Sequence, residues 1–312
     1  MAHVPVLLAE IVTQLQPVDD ALYVDATFGR GGITHALLEA ADCRVVGIDC
    51  DPDAGRAATS FAQQYAGRFR FLQARFGGLV RALARLDVRQ VNGGIIFDLG
   101  VSSPQLDDPE RGFSFRRDGP LDMRMGLSGQ TAADVVNASD EAALTDILRS
   151  FGEERRARRI VRAIMAARPL TRTLELADVV RSAVPGGHHA IDPATRTFQA
   201  LRIAVNDELG ELRAALHDAE RLLAEGAVLA VVSFHSLEDR LVKRFLVERT
   251  ARAPRAHRHI PDPGPPAAPT FRMTRARAIR PGPAELRRNP RARSARLRTA
   301  VRTGAPLVTA VA

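Results

Sequence analysis

Three acids close short apolar runs, and each sits where a carboxylate can hold a small ligand. Asp25 opens the loop Asp25-Ala-Thr-Phe-Gly-Arg-Gly-Gly32. In an open α/β sheet, ligands bind at the carboxyl ends of strands, and glycines there let a ligand approach the backbone. The loop is not a dinucleotide fingerprint, because Gly31 is followed by Gly32-Ile33-Thr34 and no third glycine falls at G-x-G-x-x-G spacing. A nicotinamide dehydrogenase is disfavoured on that ground. Asp49 ends the next run, 17 residues after Gly32. A carboxylate there accepts both hydroxyls of a ribose; the competing reading is a solvated strand end. Asp51, beside Pro52, reads instead as a helix N-cap. Asp98 ends Gly94-Ile-Ile-Phe-Asp98 and begins Leu-Gly-Val-Ser-Ser-Pro104. It can order the amino acid part of a cofactor or accept hydrogen bonds from an amino substrate. Alternatively it caps the Ser102 or Ser103 amide.

Other chemistry-bearing residues have plainer readings. Cys43 and Cys50 lack partners at zinc spacing and read as reduced, buried thiols. His188-His189 follows two glycines and reads as loop, not metal site. His235 with Ser236, Glu238 and Asp239 has neither the order of a hydrolase triad nor a G-x-S-x-G elbow. Ser236 and Glu238 are expected to start a helix. Arg111, Arg116, Arg117 and Arg124 can touch RNA phosphates or form surface ion pairs.

The elements that must carry these residues follow from periodicity. Strands are expected at 21–25, 44–49, 69–73, 94–98 and 227–234, with helices over 33–41, 51–66, 79–86 and 237–248 between or after them. Near-continuous apolar strands suit a parallel sheet covered on both faces, and strict alternation with helices predicts a doubly wound α/β fold. The pattern breaks after residue 105. Helical stripes at 142–148, 157–165 and 174–184, with no strand signal, mark a small helical insertion. Phe198 to Leu223 keeps 3-4 spacing and predicts one long helix. A last strand is expected at 295–303, after a Pro-rich linker at 261–269. The resulting division is 1–106 and 194–312 for the core and 107–193 for the insertion.

The chain has 312 residues, is 46% hydrophobic and carries a net charge of +8. Residues 251–312 hold 14 Arg against Asp262 and Glu285, whereas residues 1–250 are net acidic. That segment suits a polyanion, most simply nucleic acid. Trp is absent and aromatics are 5%, which argues against extended base-stacking platforms. No apolar run approaches the ~20 residues of a membrane span. The first residues show no secretory pattern, so a cytoplasmic protein is expected.

The glycine loop is close to the acid-x-x-x-Gly-x-Gly loop of class I methyltransferases. Several blocks, in order, make the resemblance more specific. They are His3-Val-Pro-Val-Leu-Leu8, Asp25 to Gly32, Asp98-Leu-Gly-Val-Ser-Ser-Pro-Gln-Leu-Asp107, Arg111-Gly-Phe-Ser-Phe115 and Asp118-Gly-Pro-Leu-Asp-Met-Arg-Met125. Ala194-Thr-Arg-Thr-Phe-Gln-Ala-Leu-Arg202, Ser233-Phe-His-Ser-Leu-Glu-Asp-Arg240 and Asn289-Pro-Arg-Ala-Arg-Ser294 complete the series. Together they resemble the RsmH (MraW) family of ribosomal RNA small-subunit methyltransferases, which make N4-methylcytidine. The resemblance implies a class I (Rossmann-like) methyltransferase sheet with an inserted small all-helical domain. It implies S-adenosyl-L-methionine as methyl donor, and a cytidine in the decoding region of 16S rRNA within the small (30S) ribosomal subunit as acceptor. No metal is implied. Cofactor contacts are implied at Gly31, Gly32, Ile33, Asp49, Phe76, Asp98 and Gln105. On chemical grounds Asp98 is also the catalytic candidate, as an acceptor for the amino hydrogens of cytosine N4, and the ring that stacks on the base is left open among Phe113, Phe115 and Phe234. The family often has His where this chain has Ile33. A backbone contact survives that change and a side-chain contact does not.

Overall fold

The computed structural model describes residues 5–184, 192–250 and 268–307. Among the described residues there are seven strands: β1 Leu22–Asp25, β2 Arg44–Asp49, β3 Phe69–Gln73, β4 Gly94–Asp98, β5 Val228–Ser233, β6 Phe271–Met273 and β7 Arg296–Arg302. The helices run α1 Leu8–Leu15, α2 Gly32–Ala40, α3 Pro52–Gln64, α4 Leu79–Ala84 and α5 Ser103–Asp107. They continue with α6 Ala132–Ala138, α7 Glu141–Ser150, α8 Ala157–Ala167, α9 Thr173–Ala183, α10 Ala194–Asn206, α11 Glu208–Leu222, α12 Ser236–Thr250 and α13 Pro283–Arg288. None of them is long and apolar enough to cross a membrane.

The chain divides into two compact units, Met1–Gly100 with Gly210–Ala312, and Val101–Leu209. The first unit holds one sheet in the order β3-β2-β1-β4-β5-β7-β6. β1 to β5 pair in parallel, and β7 runs antiparallel to β5 and β6. Side chains alternate between faces, as strand geometry requires. Val24, Val46, Ile95, Phe97, Leu229 and Val231 point to one core with residues of α4, α11 and α12. Tyr23, Val45, Ile96, Ala230 and Val232 point to the other with residues of α1, α2 and α3. Both faces are covered, which explains why these strands read as unbroken apolar runs.

The second unit is all helical around its own core. The apolar stripe of α8, Ile160, Val161 and Ile164, is fully buried there with Leu144, Leu148, Leu176 and Val180. Its bounds differ from those read in the sequence. α10 buries Phe198 and Leu201 in this same core, so residues 194–209 belong with the insertion. The long helix expected from Phe198 to Leu223 is two helices, and this corrects the sequence reading. Asp207 takes a left-handed conformation, φ 49°, between α10 and α11. Asn206 Nδ2 donates to Met123 O at 2.8 Å, and Asn206 Oδ1 accepts from the Met125 amide at 2.8 Å. Arg202 grips Glu208 across the break at 2.7 and 2.8 Å. These long-range bonds set a break that apolar spacing does not show. The sequence reading does not include α1, α5, α6, α13 or β6; α1 does keep 3-4 spacing, through Leu8, Ile11, Val12 and Leu15, whereas the others are too short to show a period. His188-His189, and the linker apart from Ala268 and Pro269, lie outside the described residues.

Candidate active site

The site builds up from adjacent strand ends. β2, β1 and β4 are neighbours in the sheet and all three end in aspartate. Asp25, 1% exposed, accepts from Thr34 Oγ1 at 2.8 Å and from the Thr27 amide. It braces the glycine loop from beneath, and burial raises its carboxyl to about 6. Gly29 and Gly31 both take positive φ, +52° and +75°. A Cβ on Gly31 would lie 2.5 Å from Phe61 Cζ and 2.8 Å from the Phe28 ring, so this position requires glycine. Gly31 is the N-cap of α2, and no side chain caps that helix. Uncapped first-turn amides and the positive end of the helix favour an anionic group or a polar ligand.

Asp49 ties this loop to β2. Its Oδ2 accepts from the Gly29 amide and its Oδ1 from the Asp51 amide, both at 2.8 Å. Burial raises its carboxyl above the usual range, against the pull of those amides. Each oxygen keeps a further acceptor site. Asp51 caps α3 through the Asp53 amide at 2.9 Å, as its place before Pro52 indicates.

Asp98 differs from both. Its amide donates to Thr27 Oγ1 at 2.6 Å, which links β4 to the glycine loop. Its Oδ1 is buried and has no hydrogen-bond partner among the described residues. Burial, then the Asp25 and Glu238 carboxylates, raise its carboxyl to about 8. A buried acceptor without a donor costs free energy, and a group outside the fold is the natural donor. Asp98 does not cap Ser102; Gln105 does that, in a capping box where its Oε1 accepts from the Ser102 amide at 2.8 Å.

Ile33 is 3% exposed and packs in the core beneath α2. Its side chain is turned into the core, so a ligand contact at this position falls to the backbone. Gly32 is the first residue of α2. Phe76 sits in a single helical turn after β3, partly buried, with its ring 5.9 Å from that of Phe97. Glu211 holds this turn by accepting from Arg75 Nε and the Gly77 amide, at 2.9 and 2.8 Å. Sequence reasoning misses Glu211, and only its distance to Gly77 reveals it. Gln105 belongs to the helical unit, 5% exposed.

After β5, Glu238 starts α12. Its Oε2 accepts from the Phe234 and His235 amides at 2.8 and 3.2 Å, and its Oε1 lies 3.1 Å from His235 Nε2. Phe113 is 7% exposed within the helical core, and Phe115 packs against Phe198 at 4.7 Å. Phe234 is partly buried, beside Gly100. Arg111 and Arg124 are occupied internally, Arg124 by Asp122 at 2.7 Å and Arg111 by the Arg124 and Met125 carbonyls. Arg116 and Arg117 are exposed.

Comparison with known proteins adds four findings. The ribosomal RNA small subunit methyltransferase H of Rhodospirillum centenum is 58% identical over 97% of this chain and 93% of its own length. Its namesake from Paramagnetospirillum magneticum is 54% identical over 97% and 96%. The crystal structure of an rRNA methylase from Streptococcus thermophilus aligns over 97% of this chain at 12% identity and a TM-score of 0.40. A model of the MraW methylase family matches residues 1–303, and with relatives this close the chain belongs to that family.

Proposed function

We propose that this protein methylates the N4 amino group of a cytidine in the decoding region of 16S rRNA, on the small ribosomal subunit, with S-adenosyl-L-methionine as methyl donor. Kinship to enzymes named for small-subunit rRNA methylation supports the substrate class. One structural observation carries the chemistry. It is the buried, unpartnered Asp98 Oδ1 at the end of the strand beside the glycine loop. The donor supplies a methyl group on a sulfonium, already electrophilic, so alignment is the protein's main task, worth ~7–11 kcal/mol of barrier.

The residues present fit such a donor. Asp49 has acceptor sites left for a ribose diol. The uncapped start of α2, Gly31 to Ile33, offers backbone amides, and Phe76 offers an apolar ring to flank adenine. The family resemblance implies Gln105 as a further cofactor contact. Cytosine N4 is a weak nucleophile because its lone pair is shared with the ring. Asp98 accepts a hydrogen bond from an N4 hydrogen and so favours the pyramidal, nucleophilic form. When N4 bonds to the methyl carbon, the carbon–sulfur pair stays on sulfur and N4 carries an excess proton. Asp98 takes that proton, a role suited to a carboxyl whose affinity for protons is raised toward working pH. The base must leave its stack to reach the strand ends, and Phe234, partly buried beside Gly100 at the end of β5, is our candidate to receive it.

The test is transfer of labelled methyl to small subunits lacking the modification, followed by nucleoside analysis. N4-methylcytidine is expected, with turnover reduced roughly 10²–10⁴-fold in Asp98→Ala. A different methylated nucleoside, or near-normal turnover in a folded Asp98→Ala protein, overturns the reading.

A further inference from the structure

The basic C-terminal segment looks uniform in sequence, but among its described residues, 268–307, the structure sorts the arginines into two kinds. Arg298 is 9% exposed and its guanidinium meets Asp239 at 2.7 and 3.2 Å. Arg296 reaches the same carboxylate. Arg302 is 8% exposed and donates to the carbonyls of Glu220, Thr270, Thr303 and Ala305. All three lie on β7; Arg298 and Arg302 are consumed inside the fold, and Arg296, half-buried, is paired with Asp239.

Residues 272–293 are different. They are folded and anchored. Ile279 exchanges backbone hydrogen bonds with Leu297 at 2.9 Å in both directions. Ile279, Leu286 and Ala292 pack into the core on the face that carries α1, α2 and α3. Glu285, the one acid among residues 268–307, is turned to the Leu7 amide at 2.8 Å. On this frame every arginine from Arg272 to Arg293 is exposed. Arg287 and Arg288 fall in the last turn of α13, and Arg291 and Arg293 in the helical turn that follows. Exposed guanidiniums on a folded backbone lose less ordering entropy on binding phosphodiester oxygens than those on an unstructured tail.

We propose that this arm, 272–293, is a phosphate-backbone clamp that holds the RNA substrate without reading its sequence. The proposal rests on the rRNA reading above. It separates arginines that grip RNA from arginines that hold β7.

The test is binding and methylation of unmodified small subunits by Arg287→Gln/Arg288→Gln/Arg293→Gln, with thermal melting as a folding control. Between about 50 and 200 mM salt, the slope of log K against log[salt] should become shallower by about 0.7–0.9 for each phosphate that the variant no longer neutralises. KM for subunits should rise at least tenfold, with kcat, cofactor affinity and Tm unchanged. An unaltered slope and KM overturns the clamp while leaving the methyltransferase reading intact. A parent protein that neither binds nor methylates rRNA overturns both. Loss of binding to anionic lipid vesicles, with subunit binding retained, also overturns the clamp by assigning the arm to another polyanion.

Discussion

Asp98 is stored in a state that costs stability. Its carboxyl titrates near 8 in the fold and near 3.8 when unfolded. Between those values the folded chain holds a proton that the unfolded chain has released, so stability falls as pH rises through that window. Asp98→Asn removes this dependence and should raise stability at pH 8 by roughly 1–3 kcal/mol while reducing turnover roughly 10²–10⁴-fold. Urea titrations at pH 5 and pH 8 check it; an equal change at both values would contradict the assignment. A cationic donor must also displace the proton. Calorimetry below pH 8, in buffers of different ionisation enthalpy, should therefore show proton release on cofactor binding that is absent in Asp98→Asn. Asp49 belongs to a different step. Asp49→Ala frees the Gly29 and Asp51 amides and should weaken cofactor affinity at least tenfold, with a smaller effect on kcat. Unchanged affinity would remove Asp49 from the ribose site.

Among the elements, the break between α10 and α11 shows what local pattern cannot supply. Apolar 3-4 spacing continues through Asp207, so periodicity reads one helix. The partners of Asn206 lie on Met123 and Met125, more than 80 residues earlier. Asn206→Ala leaves the Met125 amide without its acceptor and should destabilise the helical unit by about 1–3 kcal/mol. Asp207→Gly relieves a left-handed backbone and should stabilise by about 1 kcal/mol. Chemical denaturation of both variants checks the pair; a stabilising Asn206→Ala would mean the break is not enforced from a distance. Strand ends are easier to read. β2, β3 and β4 match their expected spans because an apolar run that stops at a polar residue marks both the strand and its boundary. β6, three residues long, has too few positions to show a period.

At the scale of the whole molecule, charge has two roles that composition alone merges. Arg298→Gln leaves Asp239 buried without its main partner and should cost about 3–5 kcal/mol with an unchanged salt slope for RNA. A mild effect on melting would move Arg298 to the exposed class. The sequence by itself determined the α/β plan, the order of the strands along the chain and the acids that end them. Local periodicity and strand-end chemistry are properties of neighbouring residues. The tertiary structure decided the rest. It left Asp98 Oδ1 without a donor, turned Ile33 into the core, set Glu211 under the Phe76 turn and divided the arginines between β7 and the exposed arm. Each of these depends on which distant groups meet or fail to meet a side chain. Burial and hydrogen bonding are set by those encounters, which spacing along the chain does not encode.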